Sequence, residues 1–110
     1  MNTHQQLDQA LRDLEATLKA ADLWRVESPS AEALASQQPF CIDTMELPQW
    51  LRYVFVARLT ALVDAKAPLP ASCSVAPAAE VYLRQAGVPA HHLVLVVKAI
   101  ERVDRTVTEH

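Results

Sequence analysis

The chain is 110 residues long, 51% hydrophobic and 21% charged, with a formal net charge of −3 and a pI near 5.7. Its length predicts one domain, and its single glycine, Gly87, argues against turn-rich sandwiches and barrels and in favour of helices. The acidic balance repels phosphate and gives no global electrostatic footprint for nucleic acid, so only a local basic patch could serve that role.

Leu7, Leu11, Leu14, Leu18 and Ala21 follow one another at steps of four and three, a single stripe down a first helix. Thr3 with Gln6 fits a capping box at its start. Trp24, just past the helix, is a large surface to bury and is expected to fold the exit of the helix back on the core. Ser28-Pro29 predicts the cap and first residue of a short second helix running to about Gln37. With only Ala31, Ala33, Leu34 and Ala35 to bury, that helix should be a mobile surface cover. Gln38, placed before Pro39, is pushed towards extended geometry and breaks the helix ahead of Phe40.

From Pro48 to about Ala65, apolar residues face every direction: Trp50, Leu51, Tyr53, Val54, Phe55, Val56, Leu59, Leu62 and Val63. A helix apolar all round is expected at the centre of the fold. Pro68 and Pro70 end it in an extended linker. A fourth long element begins near Pro77, presents Ala79, Tyr82, Leu83 and Ala86, and stops at Gly87, the natural left-handed terminator. The last segment runs from Pro89 to about Thr108. Its run Leu93-Val94-Leu95-Val96-Val97 has strand character, but the stripe continues through Ile100, Val103 and Val107, too long for a strand and without a pairing partner. The expected fold is therefore all-α, a single-domain antiparallel bundle of four main helices plus one short one.

The longest strongly apolar stretch, Tyr53 to Val63, is broken by Arg58 and Thr60 and falls short of the ~20 residues that cross a bilayer. No basic region followed by an apolar run opens the chain, so the sequence predicts no secretory signal and a cytoplasmic location. Cys41 and Cys73, alone in unlike contexts, are expected as free thiols.

Candidate chemistry gathers between Gln38 and Trp50, read QPFCIDTMELPQW. Asp43 and Glu46 could pair for acid-base work or contribute to a metal site. They also immediately precede a helix, where Asp43 with Glu46 as a capping box, or Thr44 alone, would satisfy its open amides. Pro39, Phe40, Met45 and Trp50 surround them, and aromatics, methionine and arginine are types enriched at binding hot spots. Arg58, the one charge between Tyr53 and Val63, is expected to need a buried partner such as Asp43 or Glu80 and to act as a structural pin. His91 and His92 lie about a hundred degrees apart on a helix and do not share a metal easily, no C-x-x-C spacing is present, and His4 and His110 are expected to be solvated. Cys41 names no neighbouring base, Ser72 and Ser74 lack a nucleophile elbow, and one glycine cannot build a phosphate loop. No metal, cofactor or catalytic constellation is expected.

Taken together, Trp24-Arg25, Gln38-Pro39-Phe40, Asp43-Thr44-Met45-Glu46, Trp50-Leu51, Arg58, Pro68-Leu69-Pro70 and Val75-Ala76-Pro77 resemble the YqcC-like family of small bacterial proteins. The resemblance spans nearly the chain. Its specific part is Q-P-F followed by D-T-M-E and then W-L, while the terminal helices match in pattern. The chain departs from the family pattern at Pro48, one residue late, which moves the expected start of the following helix by a residue or two. The resemblance implies a small helical bundle without an established activity, associated by name and gene neighbourhood with a tRNA pseudouridine synthase. No residue matches such an enzyme, whose chemistry needs a catalytic aspartate in a mixed α/β fold, so a helper role is the most it implies.

Three functional readings follow. The first is a non-enzymatic interaction module binding an unknown protein partner through Trp24, Pro39, Phe40, Asp43, Thr44, Met45, Glu46, Trp50 and Arg58, with a tRNA-modifying enzyme as one candidate. The second is an RNA-binding accessory using the scattered Arg12, Lys19, Arg25, Arg52 and Arg84. The third is a small enzyme using Asp43 and Glu46.

Overall fold

The computed structural model describes residues 2–109, all helix and connecting loop. In chain order come α1 (Thr3–Ala20), α2 (Ala31–Leu34), a 3₁₀ turn (Pro39–Cys41), α3 (Leu47–Trp50), a π-helical segment (Leu51–Val56), α4 (Ala57–Asp64), α5 (Ala76–Gln85) and α6 (Ala90–Thr108). The stretch 47–64 is one continuous rod, so the fold is a bundle of four main helices with one short helix on its surface.

Two stripes make the centre. Leu7, Leu11, Leu14 and Leu18 of α1 are completely buried, as are Val96, Ile100, Val103 and Val107 of α6. These helices share the most extensive contact in the molecule. Each leucine or valine withdrawn from water stabilises the bundle by about 1.5–3 kcal/mol before entropy is counted. The rod is not the all-round buried helix that its composition predicts. Leu51, Val54, Phe55 and Val56 of the π segment face inward, but in α4 only Leu59 is buried, while Ala57, Arg58, Ala61 and Asp64 meet solvent. Arg58 is thus no buried pin, and none of the ion pairs among the described residues includes it.

The helix starts differ from expectation by small shifts. Asn2, not Thr3, caps α1 in a reciprocal box with Gln5. Ser30, not Ser28, caps α2 through its bond from the Ala33 amide (3.0 Å), leaving a helix of four residues rather than nine. Three ends share one device. After α1 the Leu23 amide reaches the Leu18 carbonyl (2.8 Å), after α4 Ala67 reaches Leu62 (2.9 Å), and after α5 Val88 reaches Leu83 (3.1 Å). Each is a Schellman closure around a left-handed residue, and those residues are Asp22 (φ 60°), Lys66 (φ 52°) and Gly87 (φ 85°). Only the glycine is visible in advance from residue type.

Candidate docking site at the 38–50 joint

Backbone geometry sets the joint's shape. Phe40 (φ 59°) and Cys41 (φ 50°) are consecutive left-handed residues without being glycine, an arrangement that costs about 1–2 kcal/mol each and must be over-determined by packing. The packing is aromatic. The Phe40 ring stands edge-on to Trp50 at 4.9 Å and to Tyr82 of α5 at 6.3 Å, and Trp50 stacks on Phe55 at 5.6 Å. Cys41 and Met45 are buried beneath.

Polar groups of the joint are spent mostly on its own fold. The Thr44 hydroxyl donates to the Ala33 carbonyl (2.8 Å) and lies 3.2 Å from the Cys41 carbonyl. Asp43 accepts a hydrogen bond from the Ser36 hydroxyl, which in turn accepts from the Gln38 amide (3.1 Å). The short α2 is therefore tied to the joint rather than loose. Neither Asp43 nor Thr44 caps the rod. That role falls to Glu46, whose amide donates to Gln49 Oε1 (3.0 Å) as the return half of a capping box, because the helix begins at Leu47, nearer the proline, than the acid pair suggests. The Asp43 carboxylate is taken up by Ser36 and Glu46 serves the start of the rod, so the two acids do not converge on one partner.

What remains outward is Gln38, Pro39, Ile42, Asp43, Thr44 and Glu46. Ile42 keeps 37% of its surface in water. It lines a groove of about 460 Å³ with Leu23, Glu46, Pro48, Tyr82 and Val88. The walls are apolar, with the Glu46 carboxylate as their charge. Trp24 lies near this region through Leu23, whereas Arg58 is eight residues beyond Trp50 along the rod, about 12 Å by helical rise, and takes no part.

Two clusters escaped the sequence reading. Gln49, Arg52 and Tyr53 occupy one helix face at i, i+3 and i+4, and each donates to a carbonyl of the extended segment after α1: Gln49 to Glu27 (3.1 Å), Arg52 to Trp24 (2.5 Å), Tyr53 to Val26 (2.9 Å). Their spacing was the available signal. The other is Asp104, an acid inside the apolar stripe of α6. Buried, it accepts the amides of Val75 and Ala76 (2.9 Å each) at the start of α5 and the Cys73 thiol (3.1 Å). Burial first, then the Asp104 hydrogen bond and charge, push the Cys73 pKa up to about 12, which makes it the reverse of an activated nucleophile.

Both cysteines are free. The rings of His91 and His92 lie 4.1 Å apart, but among the described residues no three or more His, Cys, Asp or Glu side chains converge as metal ligands. His4, expected in solvent, instead bonds the Ala67 carbonyl through Nε2 (2.7 Å), because the exit of α4 folds against the start of α1. His110 lies outside the described residues. No helix among the described residues is long and apolar enough to cross a membrane.

Comparison with known proteins covers nearly all of this architecture. A family model, DUF446, described as tRNA pseudouridine synthase C, matches residues 6–103. The uncharacterised protein YqcC of Escherichia coli is 41% identical over 83 residues, 76% of this chain and 76% of that protein. An uncharacterised protein of Haemophilus influenzae is 36% identical over 80 residues, 73% of this chain and 76% of its own length. A protein of Pectobacterium carotovorum named tRNA pseudouridine synthase C is 40% identical over 72 residues, which are 66% of this chain but only 19% of that protein. The solution NMR structure of Escherichia coli YqcC superposes with a TM-score of 0.82 at 34% identity, covering 99% of this chain and 91% of that one.

Proposed function

The chain belongs to the YqcC-like family, DUF446, and from that premise we propose that it is a non-catalytic cytoplasmic accessory module that docks on a tRNA pseudouridine synthase. The observation that carries the choice of partner is the similar segment making up about a fifth of a protein that bears that name. A module tethered to a larger chain acts at high effective concentration, and the same contact made between separate chains needs a real interface.

The groove beside the joint supports that interface. Its apolar floor accepts one aliphatic or aromatic anchor, and Glu46 at its edge favours a lysine or arginine next to that anchor. The occupant it fits is an amphipathic helix with a basic residue one turn from its apolar face.

Titration calorimetry of the chain with the purified synthase from the same organism tests this reading. Binding in the micromolar range is expected, with Ile42→Glu and Glu46→Lys each weakening it about tenfold or more, roughly 1.4 kcal/mol, while circular dichroism shows both variants folded. Absence of binding by the unaltered chain rejects the partner. Binding undiminished in both variants rejects the groove.

A further inference from the structure

The scattered cations of the sequence do not stay scattered. Lys19 at the end of α1 and Arg52 in the π segment meet over one indole, the Lys19 ammonium 5.8 Å and the Arg52 guanidinium 4.6 Å from the Trp24 ring centre, and Arg25 in the loop after α1 lines the same cleft. Lys19, Trp24 and Arg25 line a cleft of about 370 Å³. Two acids share the neighbourhood. Asp22 lies on the same cleft, and Glu15 pairs with Lys19 at 2.8 Å. The patch therefore carries an excess of positive charge on a chain whose total is −3.

Three features of the patch bear on its ligand. Arg25 is exposed and enters none of the ion pairs among the described residues, so its guanidinium is available for a bidentate contact with a tetrahedral oxyanion. Arg52 is held by its contact with the Trp24 ring and by its bond to the Trp24 carbonyl, so one cation of the set is already ordered and less rotamer entropy is lost on binding. Arg12, on the same face of α1 two turns earlier, is tied to Thr60 of the rod at 3.0 Å and paired with Glu15 (3.0 Å) and Asp8 (3.9 Å), so it borders the patch without adding to its net charge. Three cations drawn from three elements around one aromatic-backed cleft suit successive phosphates of a phosphodiester chain better than an isolated small anion.

We propose that the cleft between Lys19, Trp24 and Arg25, backed by Arg52, contacts the phosphodiester backbone of RNA. The cleft shares no lining residue with the groove at Ile42, and the proposal does not depend on the docking reading.

Fluorescence anisotropy of a labelled tRNA transcript, titrated with the whole chain at 50 and 200 mM salt, decides it. With about three phosphates engaged, log affinity should fall with log salt at a slope of about −2, a loss of roughly fifteenfold between the two conditions. Arg25→Glu and Lys19→Glu should each weaken binding about tenfold at low salt and flatten the slope by about 0.7 or more, whereas Arg84→Glu, on α5, should change it less than about twofold. No binding at 50 mM salt overturns the proposal, as does an equal response of all three variants. Poly-glutamate or inorganic phosphate competing as well as unlabelled tRNA overturns the assignment to RNA and leaves an acidic-protein or small-anion site in its place.

Discussion

The Arg52 guanidinium lies 4.6 Å above the Trp24 ring while its Nη1 donates to the carbonyl of that same tryptophan, so one side chain holds both the ring and the backbone of the segment leaving α1. Arg52→Met should lower stability by about 2 kcal/mol, the sum of a charged-donor hydrogen bond and a part-exposed cation–π contact. Urea unfolding measures this. Arg52→Lys keeps the charge but not the planar fork and should recover less than half of the loss. A change below about 0.5 kcal/mol in the methionine variant would show the contact to be incidental.

Arg58 gives the opposite expectation. Because it is exposed on α4, Arg58→Met should shift stability by no more than about 0.5 kcal/mol, within the range of ordinary surface substitutions. A loss of 3 kcal/mol or more, the scale of a broken buried pair, would mean that Arg58 has a hidden partner.

Asp104 replaces the missing N-cap of α5 from another helix. Asp104→Ala strands two buried amides and should cost about 2–4 kcal/mol, while Asp104→Asn, still an acceptor, should cost less. Chemical denaturation separates the two. If alanine is no worse than asparagine, the amides have found other partners.

Burial of Cys73, reinforced by the same carboxylate, gives a pH response. The Cys73 thiol has its folded pKa raised from 9.0 to about 12, so the unfolded chain releases this proton first. The stabilisation is complete below pH 9 and is lost as the pH rises from 9 towards 12. Wild type should therefore lose stability faster than Cys73→Ala across that window. Alkylation of Cys73 by iodoacetamide at pH 9 should also be slower in the folded wild type than in Asp104→Asn. Parallel pH profiles for wild type and Cys73→Ala would contradict this assignment.

Helix exits offer a backbone test. Asp22→Gly and Lys66→Gly should each stabilise the fold by roughly 0.5–1 kcal/mol, because the left-handed conformation no longer carries a Cβ penalty. Gly87→Ala should destabilise by about 1 kcal/mol for the same reason alone, since nothing lies within 4 Å of where its Cβ would stand. Thermal melts of the three variants suffice, and a stabilised Gly87→Ala would refute the account.

The contrast between Gly87 and Asp22 shows where sequence reasoning stops. Periodicity placed α1, α5 and α6 almost to the residue, because a stripe such as Leu7, Leu11, Leu14, Leu18 has one solution. A left-handed aspartate or lysine has no signature, since the Schellman closure depends on Leu18 and Leu62 carbonyls that are available only once the helix exists. Caps moved by two or three residues at Ser30 and Glu46 for a related reason. Several neighbouring polar residues can cap, and at Glu46 the buried Leu47 selects among them, whereas α2 buries no side chain that could choose. Arg58 was misplaced because apolarity around a cylinder does not say which side neighbouring helices will cover. At the joint, the T-shaped contact between Phe40 and Trp50 was unreadable, as it rests on two consecutive left-handed residues that no local propensity favours. The cations around Trp24 come from three elements, and only the bundle brings them together.

The pairing of α1 with α6 has a bearing on how the protein comes into being. The completely buried leucines of Thr3–Ala20 find their widest partner in Ala90–Thr108, so the central contact joins segments far apart in the chain and carries a heavy loop-closure cost. During synthesis α1 can first meet only the rod, and the part of its leucine stripe that α6 covers stays open until α6 has left the ribosome, an interval in which a nascent chain of this kind is open to aggregation or chaperone capture.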